Sequence, residues 1–179
     1  MWKLGFAGAP EHSLSSRIRF PEMPHAFEDQ ASSLSLAEGL AEYYAQNPSL
    51  KRSGDLSPEA RRFFHSHDVV HVLYGCGTTM PDEAIVKLAS LCGTTGGVSI
   101  LKGYLHHESL DIYRKLPLAD TLLALLMAPW LIARTVWRCA LQVRRWPWAS
   151  HAPHLHTPLH ELRAEYGIKV AHGRPRDAG

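Results

Sequence analysis

The stretch HSHDVVHVLYGCGTTMPDEA, residues 65–84, decides the fold because two predicted helices meet inside it. The first helix is predicted to begin behind Ser57, a good N-cap residue followed by proline, and to end at Gly75. The second is predicted to run from Thr79 to Gly93, with proline and acidic residues in its first turn. The stretch is therefore predicted to be a helix-turn-helix corner.

Potential metal ligands crowd this corner. Residues four apart on a helix project about 40° from each other, so His67 and His71 share a face, and Asp68 falls within the same ~100° arc. His65 is predicted to project from nearly the opposite side of the helix, away from this face. Glu83 lies in the first turn of the second helix, and the tight corner is expected to fold it back toward the histidines. We expect His67, Asp68, His71 and Glu83 to be both the metal ligands and the catalytic residues.

The donor types restrict the metal. Imidazole nitrogens and carboxylate oxygens, with no sulfur among them, suit Zn²⁺ and also Fe²⁺ or Mn²⁺. Zinc is the first expectation. Phe63, Phe64 and Tyr74 lie on the same side of the first helix and are expected to wall the site with aromatic surface.

The rest of the chain is also predicted to be helical. Ser35 and Glu38 form a capping box before a helix that stops near Pro48. Further helices are predicted over 98–115, over 118–145 with a kink or split at Pro129, and in the short segment LHELRAEYG. GTTGG, 93–97, is predicted to be a turn, because it lacks the lysine and hydroxyl of a phosphate-binding loop.

No run alternates like a strand, so the predicted fold class is all-α. We expect a single compact domain of about six helices, with the metal site at the helix-turn-helix corner. The chain is predicted to consist of an irregular N-terminal arm, 1–33, a helical metal-binding domain, 34–170, and a polar tail, 171–179. The arm is expected to fold back on the domain.

Composition narrows the function classes. The 179 residues are 45% hydrophobic and 20% charged, which is typical of a folded globule. A net charge of +2 gives no basis for a nucleic-acid partner. The three cysteines show no metal or disulfide spacing, and the first residues lack the apolar core of a secretory signal. The expected location is the cytoplasm of a bacterium.

The helix predicted over 118–145 combines two faces. Leu125, Ile132, Val136, Cys139 and Val143 make an aliphatic face that is expected to be core. A second face is of the kind that binds a membrane surface, and Trp146 and Trp148 extend that belt. This face consists of Trp130, Arg134, Trp137, Arg138, Leu141 and Arg145. A buried helix whose arginines reach solvent, or a homodimer through this face, are the alternatives.

The pattern HDxxH, followed by eleven residues and a glutamate, resembles the signature of the ubiquinone (coenzyme Q) biosynthesis protein family number four. It stands here as His67-Asp68-Val69-Val70-His71, and Glu83 follows at the matching distance. The likeness continues in HVLYG, 71–75, and in ELRAEYGI, 161–168. At Val70 the family often has a bulky aromatic residue.

The resemblance implies an all-helical zinc-type protein, peripheral to the bacterial inner membrane, that acts on polyprenylated benzenoid precursors of ubiquinone. The family is linked to exchanging the C1 carboxyl of the ring for hydroxyl, and also to organising other ubiquinone biosynthesis enzymes. A non-catalytic, membrane-docked scaffold that binds lipid is therefore the first alternative.

An HD-type metal-dependent phosphohydrolase is the second alternative. Such an enzyme also uses an adjacent His-Asp pair, here His67-Asp68. It needs an earlier histidine and a later aspartate, for which His25 and Asp111 or Asp120 are the candidates. It does not explain why His71 and Glu83 are present.

Overall fold

The computed structural model describes residues 25–51, 57–104 and 118–172, with the backbone alone described at 49, 51, 104 and 118–127. Within these ranges the chain is all-helical, with six α-helices and two isolated β-bridges but no strand. The predicted fold class is confirmed. The helices are α1 (Leu36–Gln46), α2 (Pro58–Tyr74), α3 (Met80–Gly93), α4 (Leu101–Tyr104), α5 (Leu118–Ala140) and α6 (Leu159–Tyr166).

The helices begin where side chains satisfy their first free N–H groups. Ser35 and Glu38 form the predicted capping box at α1. The hydroxyl of Ser57 accepts a hydrogen bond from the amide of Ala60, and Thr79 caps α3 in the same way. At the other end of α2, Gly75 adopts a left-handed conformation with φ 60°, which reverses the chain into the corner.

The core lies between α1, α2, α3 and α6. Each helix contributes an apolar stripe, and α3 packs against both α2 and α5. Burying each large aliphatic side chain contributes about 1.5–3 kcal/mol. The fully or almost fully buried residues include Leu36, Leu40, Val69, Val70, Leu73, Ile85, Val86, Leu159 and Leu162.

Arg163 of α6 is completely buried and joins three parts of the chain. Its guanidinium donates to the carbonyl oxygens of Val72 and Leu73 at 2.8 and 2.9 Å, so it satisfies free carbonyls at the end of α2. It also donates to the carbonyls of Phe27, at 2.5 Å, and of Asp29. Burial lowers the pKa of Arg163 to about 10, so its charge is kept at neutral pH. The corner is thus anchored immediately before Gly75.

The described part of the predicted N-terminal arm, 25–33, packs on the helices as expected. Phe27 is buried, and the amides of Ala26 and Phe27 donate to the carboxylate of Glu42 at 3.0 and 3.1 Å. Residues 1–24 of that arm lie outside the described residues. At the other end, Ala171 is buried although it was expected in a polar tail, and 173–179 again lie outside the description.

Two helix predictions need correction. The helix expected over 98–115 starts as a 3-10 turn, Gly97–Ile100, followed by α4, and its continuation beyond 104 lies outside the described residues. The helix α5 passes through Pro129 without a break and ends at Ala140, five residues earlier than expected. GTTGG forms the predicted turn between α3 and the 3-10 turn.

The core face expected for the helix predicted over 118–145 is confirmed at Cys139, which is buried, and wrong at three other positions. Ile132, Val136 and Val143 are exposed, and the side chain of Leu125 lies outside the description. The stripe that packs inward is Leu131, Thr135 and Cys139, which are four residues apart and therefore lie on one line along the helix. The prediction followed the hydrophobicity of single residues, whereas the side of the helix that faces the core is set by its packing against α3. Trp146, expected in an exposed belt, is also buried, in edge contact with Tyr166.

Candidate metal centre

Three of the four predicted ligands converge at the corner. His67 and His71 project from the same face of α2, both are buried, and their Nε2 atoms lie 3.1 Å apart. Glu83 reaches back from the first turn of α3. Its Oε1 lies 3.3 Å from Nε2 of His71, and its Oε2 lies 3.6 Å from Nε2 of His67. Among the described residues this is the one group of three or more such side chains close enough to hold an ion.

These separations can be compared with those in a metal site. Metal–nitrogen and metal–oxygen bonds of about 2.0–2.1 Å at tetrahedral angles place two ligand atoms about 3.3 Å apart. The two nitrogens lie 3.1 Å apart, and their distances of 3.3 and 3.6 Å to Glu83 end at its two different oxygens, so each value is close to the expected separation. The cluster could therefore hold a metal ion, and a fourth position would then be left for water or substrate.

The orientation of His71 is set by its surroundings. Its Nδ1 donates a hydrogen bond of 2.9 Å to the carbonyl of Gly77 in the corner, which leaves the lone pair on Nε2, the atom that faces His67 and Glu83. The ring of Tyr43 from α1 stacks on that of His71 with centroids 5.1 Å apart. A histidine held by a carbonyl and an aromatic ring loses little entropy when it binds an ion.

The ionisation states of the cluster also suit a cation. Burial lowers the pKa of His67, which favours the neutral, ligating imidazole. Without a cation, burial opposes the charge of Glu83, but His67 and His71 outweigh it when their facing nitrogens carry protons, and their hydrogen bonds hold the pKa of this carboxyl well below its ordinary value. A bound cation would take the place of those protons. Lys87, one turn along α3, adds an ion pair with Glu83 at 3.5 Å. A neutral imidazole and an ionised carboxylate are the forms that metals bind.

Asp68, the fourth predicted ligand, lies outside this cluster. Its Oδ2 accepts a hydrogen bond of 2.9 Å from the hydroxyl of Tyr44, which also contacts Nδ1 of His65 at 3.2 Å. Burial raises the pKa of Asp68 to about 6. The carboxyl is therefore poised to exchange a proton near neutral pH. That Asp68 is a ligand stays a prediction.

The expected aromatic wall is only partly at the cluster. The ring of Phe63 is parallel to that of His67 at 6.5 Å, and Phe64 packs edge-on against Phe63. Tyr74 lies elsewhere, because its hydroxyl accepts a hydrogen bond of 2.8 Å from Gln142, in the segment after α5. It sits three residues beyond His71 and leans toward α5 rather than toward Glu83.

Sequence reasoning missed Tyr43, Tyr44 and Lys87. The spacing of Lys87, four residues after Glu83 on one helix, could have indicated the ion pair. Tyr43 and Tyr44 belong to α1, a different helix from the one that carries the HDxxH motif. Nothing local to α1 shows that it packs against the ligand face of α2, so no sequence signal pointed to either contact.

The residues of the predicted membrane face divide into two groups. Trp130 and Trp137 are exposed, at 57% and 66%, as that prediction requires. Arg134 and Arg138 instead donate hydrogen bonds to the backbone carbonyls of Val170 and Ala171. The exposed apolar surface continues past them through Leu141 and Val143. In the described part of the chain, no helix has both the length and the apolar character to span a bilayer.

Of the additional residues of the phosphohydrolase alternative, His25 is described in full, and it lies outside the cluster. His25 hydrogen bonds with Gln46 and stacks on Phe27. Asp111 and the side chain of Asp120 lie outside the described residues. That alternative stays a prediction.

Comparisons of the chain with protein-family models, with curated proteins and with solved structures find no match. Fold and site together therefore define the class: an all-helical protein with a His-His-Glu cluster that could hold a metal ion. Any narrower assignment depends on the chemistry of that cluster and on the motif that carries it.

Proposed function

We propose that this protein is a zinc-dependent enzyme of ubiquinone biosynthesis that resembles the ubiquinone biosynthesis protein family number four. In this proposal it replaces the C1 carboxyl of a polyprenylated hydroxybenzoate by hydroxyl. The convergence of His67, His71 and Glu83 carries the proposal, because Glu83 follows His71 by twelve positions, across a corner, and still meets both histidines at ligand distances. The HDxxH spacing, with Glu83 in the matching position, links that cluster to the family.

The choice of zinc follows from the donors. Two neutral imidazoles and one carboxylate, in near-tetrahedral separation, are a common ligand set of catalytic zinc, with an open fourth position. Fe²⁺ and Mn²⁺ accept the same donors and are the alternatives. When bound, the cation would supply Lewis acidity toward a carboxylate or phenolate oxygen.

The proposed reaction is a two-electron oxidation. The aryl acid and one water give the phenol, CO₂, two protons and two electrons, so a two-electron oxidant such as dioxygen must be supplied from outside the chain. The bond from the ring to the carboxyl carbon breaks, and a bond from the ring to oxygen forms. The protein must therefore hold the ring, exclude bulk water and accept protons.

The residues beside the cluster suit these tasks. Asp68, with a pKa of about 6 and a hydrogen bond from Tyr44, is a better proton acceptor near neutral pH than Glu83, whose carboxylate is held ionised by the histidines. Phe63 stacks beside His67 and offers an aromatic surface for a benzenoid ring.

The polyprenyl tail of such a substrate resides in a membrane, so the protein should work at a membrane surface. The exposed side chains on and after α5, with Arg145 next to them, support peripheral binding to the inner membrane from the cytoplasm; they are Trp130, Trp137, Leu141 and Val143. The same surface supports the second candidate function, a non-catalytic scaffold that presents lipid precursors to other pathway enzymes.

Metal analysis of the purified protein tests the proposal. We expect one equivalent of metal in the wild type and a loss to below about one tenth in His67→Ala and His71→Ala, since each removes one of three ligands. His65→Ala is the matched control, because His65 lies on the same helix outside the cluster and should keep the metal. Equal metal content in all four proteins would refute the site.

Turnover separates the two candidate functions. The enzyme should convert a polyprenylated hydroxybenzoate to the corresponding phenol and CO₂, detected by mass spectrometry, and His71→Ala should not. A scaffold would copurify with prenyl lipid and bind vesicles but release no CO₂. Loss of the fold on chelation, rather than loss of turnover, would identify the metal as structural.

A further inference from the structure

The last described residues, 168–172, form a segment that we call the C-terminal strap. Its backbone is bound at several points. The amide of Ala171 donates to the carbonyl of Tyr74 at 2.8 Å, and the amide of Val170 donates to Oε1 of Gln30 at 2.8 Å. Val170 and Ala171 are buried. The strap is thus packed directly against the end of α2, where the corner begins.

Two arginines of α5 hold the same segment from the other side. Arg134 donates to the carbonyl of Ala171 at 3.0 Å, and Arg138 donates to the carbonyls of Val170 and Ala171 at 2.9 and 3.2 Å. Hydrogen bonds from a charged donor are roughly twice as strong as neutral ones. The strap is therefore fixed between α2 and α5 by backbone contacts that do not depend on its side chains.

One side chain of the strap reaches α3. Nε2 of His172 lies 2.5 Å from Oδ1 of Asp82, the residue that precedes Glu83. The other oxygen of Asp82 accepts a hydrogen bond of 2.7 Å from the hydroxyl of Thr79, the N-cap of α3. Asp82 is buried, so a charged partner or donor at each oxygen is needed to offset its desolvation.

These contacts hold two parts of the chain that position the residues of the metal centre. The first turn of α3, which His172 and Thr79 fix through Asp82, is the turn that carries Glu83. The adjoining residues of the corner include Gly77, whose carbonyl orients His71. A displacement of Asp82 would therefore shift one ligand directly and loosen the orientation of another.

We propose that the C-terminal strap is a positioning element of the metal centre, with His172 acting through Asp82 as a positioning residue, so that docking of the strap and binding of the metal favour each other. The inference rests on the proposed function only in requiring that His67, His71 and Glu83 bind a metal. Coupling of this kind is reciprocal: if the strap raises metal affinity, the metal must hold the strap more firmly.

The affinity for Zn²⁺ alone, measured by competition with a chromogenic chelator, tests the first half of the coupling. We expect His172→Ala to weaken Zn²⁺ binding about 3–10-fold. Mutating a residue that hydrogen bonds to a metal ligand directly typically costs about 10–100-fold, and His172 acts one residue further away. His172→Gln keeps an N–H donor and should recover most of the affinity. Lys169→Ala is the control, because Lys169 is exposed in the same strap.

Two further measurements separate positioning from general destabilisation. The absorption spectrum of the Co²⁺-loaded protein reports ligand geometry and should change in His172→Ala and not in Lys169→Ala. Hydrogen exchange of the wild type should slow at the amides of Val170 and Ala171 when Zn²⁺ is added, and this protection should shrink in His172→Ala. The exchange experiment on the wild type needs no variant, so it remains decisive even if His172→Ala fails to fold.

The outcomes distinguish the two proposals. A wild type that binds no Zn²⁺, or that binds it as well after His71→Ala, overturns the metal site and the positioning role together. Binding that depends on His71, but with equal affinity in His172→Ala and Lys169→Ala and no change in exchange at the strap, overturns the positioning role alone. A weaker affinity in His172→Ala with recovery in His172→Gln supports it.

Discussion

The hydroxyl of Tyr44 donates a hydrogen bond of 2.9 Å to Oδ2 of Asp68, and this contact joins α1 to the helix that carries the two histidines proposed as ligands. A hydrogen bond to a carboxylate favours its ionised form. Burial acts in the opposite direction and prevails, because the pKa of Asp68 is raised to about 6. Tyr44 thus limits how far the pKa of Asp68 rises.

Tyr44→Phe should raise the pKa of Asp68 further above 6, by roughly 0.5–1 unit, because the donor to Oδ2 is lost while the burial remains. Carboxyl ¹³C chemical shifts, followed through a pH titration of the metal-free protein, would report it. Tyr166→Phe is the control, since the hydroxyl of Tyr166 contacts His154 instead. An unchanged titration in Tyr44→Phe would show that the hydrogen bond is weak in solution.

The raised pKa of Asp68 makes stability depend on pH. The unfolded carboxyl titrates near 3.8 and the folded one near 6, so between these values the folded state binds more protons. The free energy of unfolding should therefore fall as the pH rises through this window, and the full penalty should be present above about pH 6.

Asp68→Asn should remove that penalty in the metal-free protein. We expect it to be more stable than the wild type by about 1–3 kcal/mol at pH 7.5 and nearly equal to it at pH 4, since the neutral amide can still accept from Tyr44. Urea denaturation at both pH values, in the presence of a chelator, measures the difference. A constant difference at the two pH values would contradict the assigned pKa.

The parts of the structure that were predictable are those encoded by neighbours in sequence. Ser35 and Ser57 cap their helices as expected, and Gly75 ends α2, because capping depends on residues within one turn. Thr79, predicted to begin α3, is its N-cap. The approach of Glu83 to the histidines followed from the same signals. Once both helix ends are placed, the length of the corner limits where Glu83 can reach.

The parts that were not predictable depend on packing between distant segments. Arg134 and Arg138 were assigned to a membrane face because arginines beside tryptophans are typical of one, yet they bind the carbonyls of residues 170 and 171. The exposure of Val136 and the burial of Trp146 have the same origin. A helical wheel identifies faces but does not show which face meets which partner.

The corner offers a test of how closely the fold of this segment controls metal binding. Gly75 has φ 60°, and a Cβ there would lie 3.1 Å from both the carbonyl of Glu28 and the side chain of Val170. Gly75→Ala should therefore cost about 1–3 kcal/mol of unfolding free energy and weaken Zn²⁺ binding, because the strained corner displaces Glu83. Chemical denaturation and chelator competition provide the two values.

Gly97→Ala is the matched control for that substitution. Gly97 also has a positive φ, of 51°, but a Cβ there would meet nothing within 4 Å. Gly97→Ala should lower the free energy of unfolding by about 1 kcal/mol, the cost of the left-handed backbone for alanine, and leave the Zn²⁺ affinity unchanged. If both variants lost affinity equally, the effect would be one of general stability rather than of the corner.

Trp137 is the sharpest probe of the proposed membrane surface, because it is 66% exposed, whereas Arg134 and Arg138 also hold the strap. Trp137→Ser should reduce cosedimentation with vesicles of anionic phospholipid at least about fivefold, since the indole no longer enters the interface. Leu50→Ser, at a residue 41% exposed outside this surface, should bind vesicles as the wild type does. Equal binding of all three proteins would exclude Trp137 from the membrane contact.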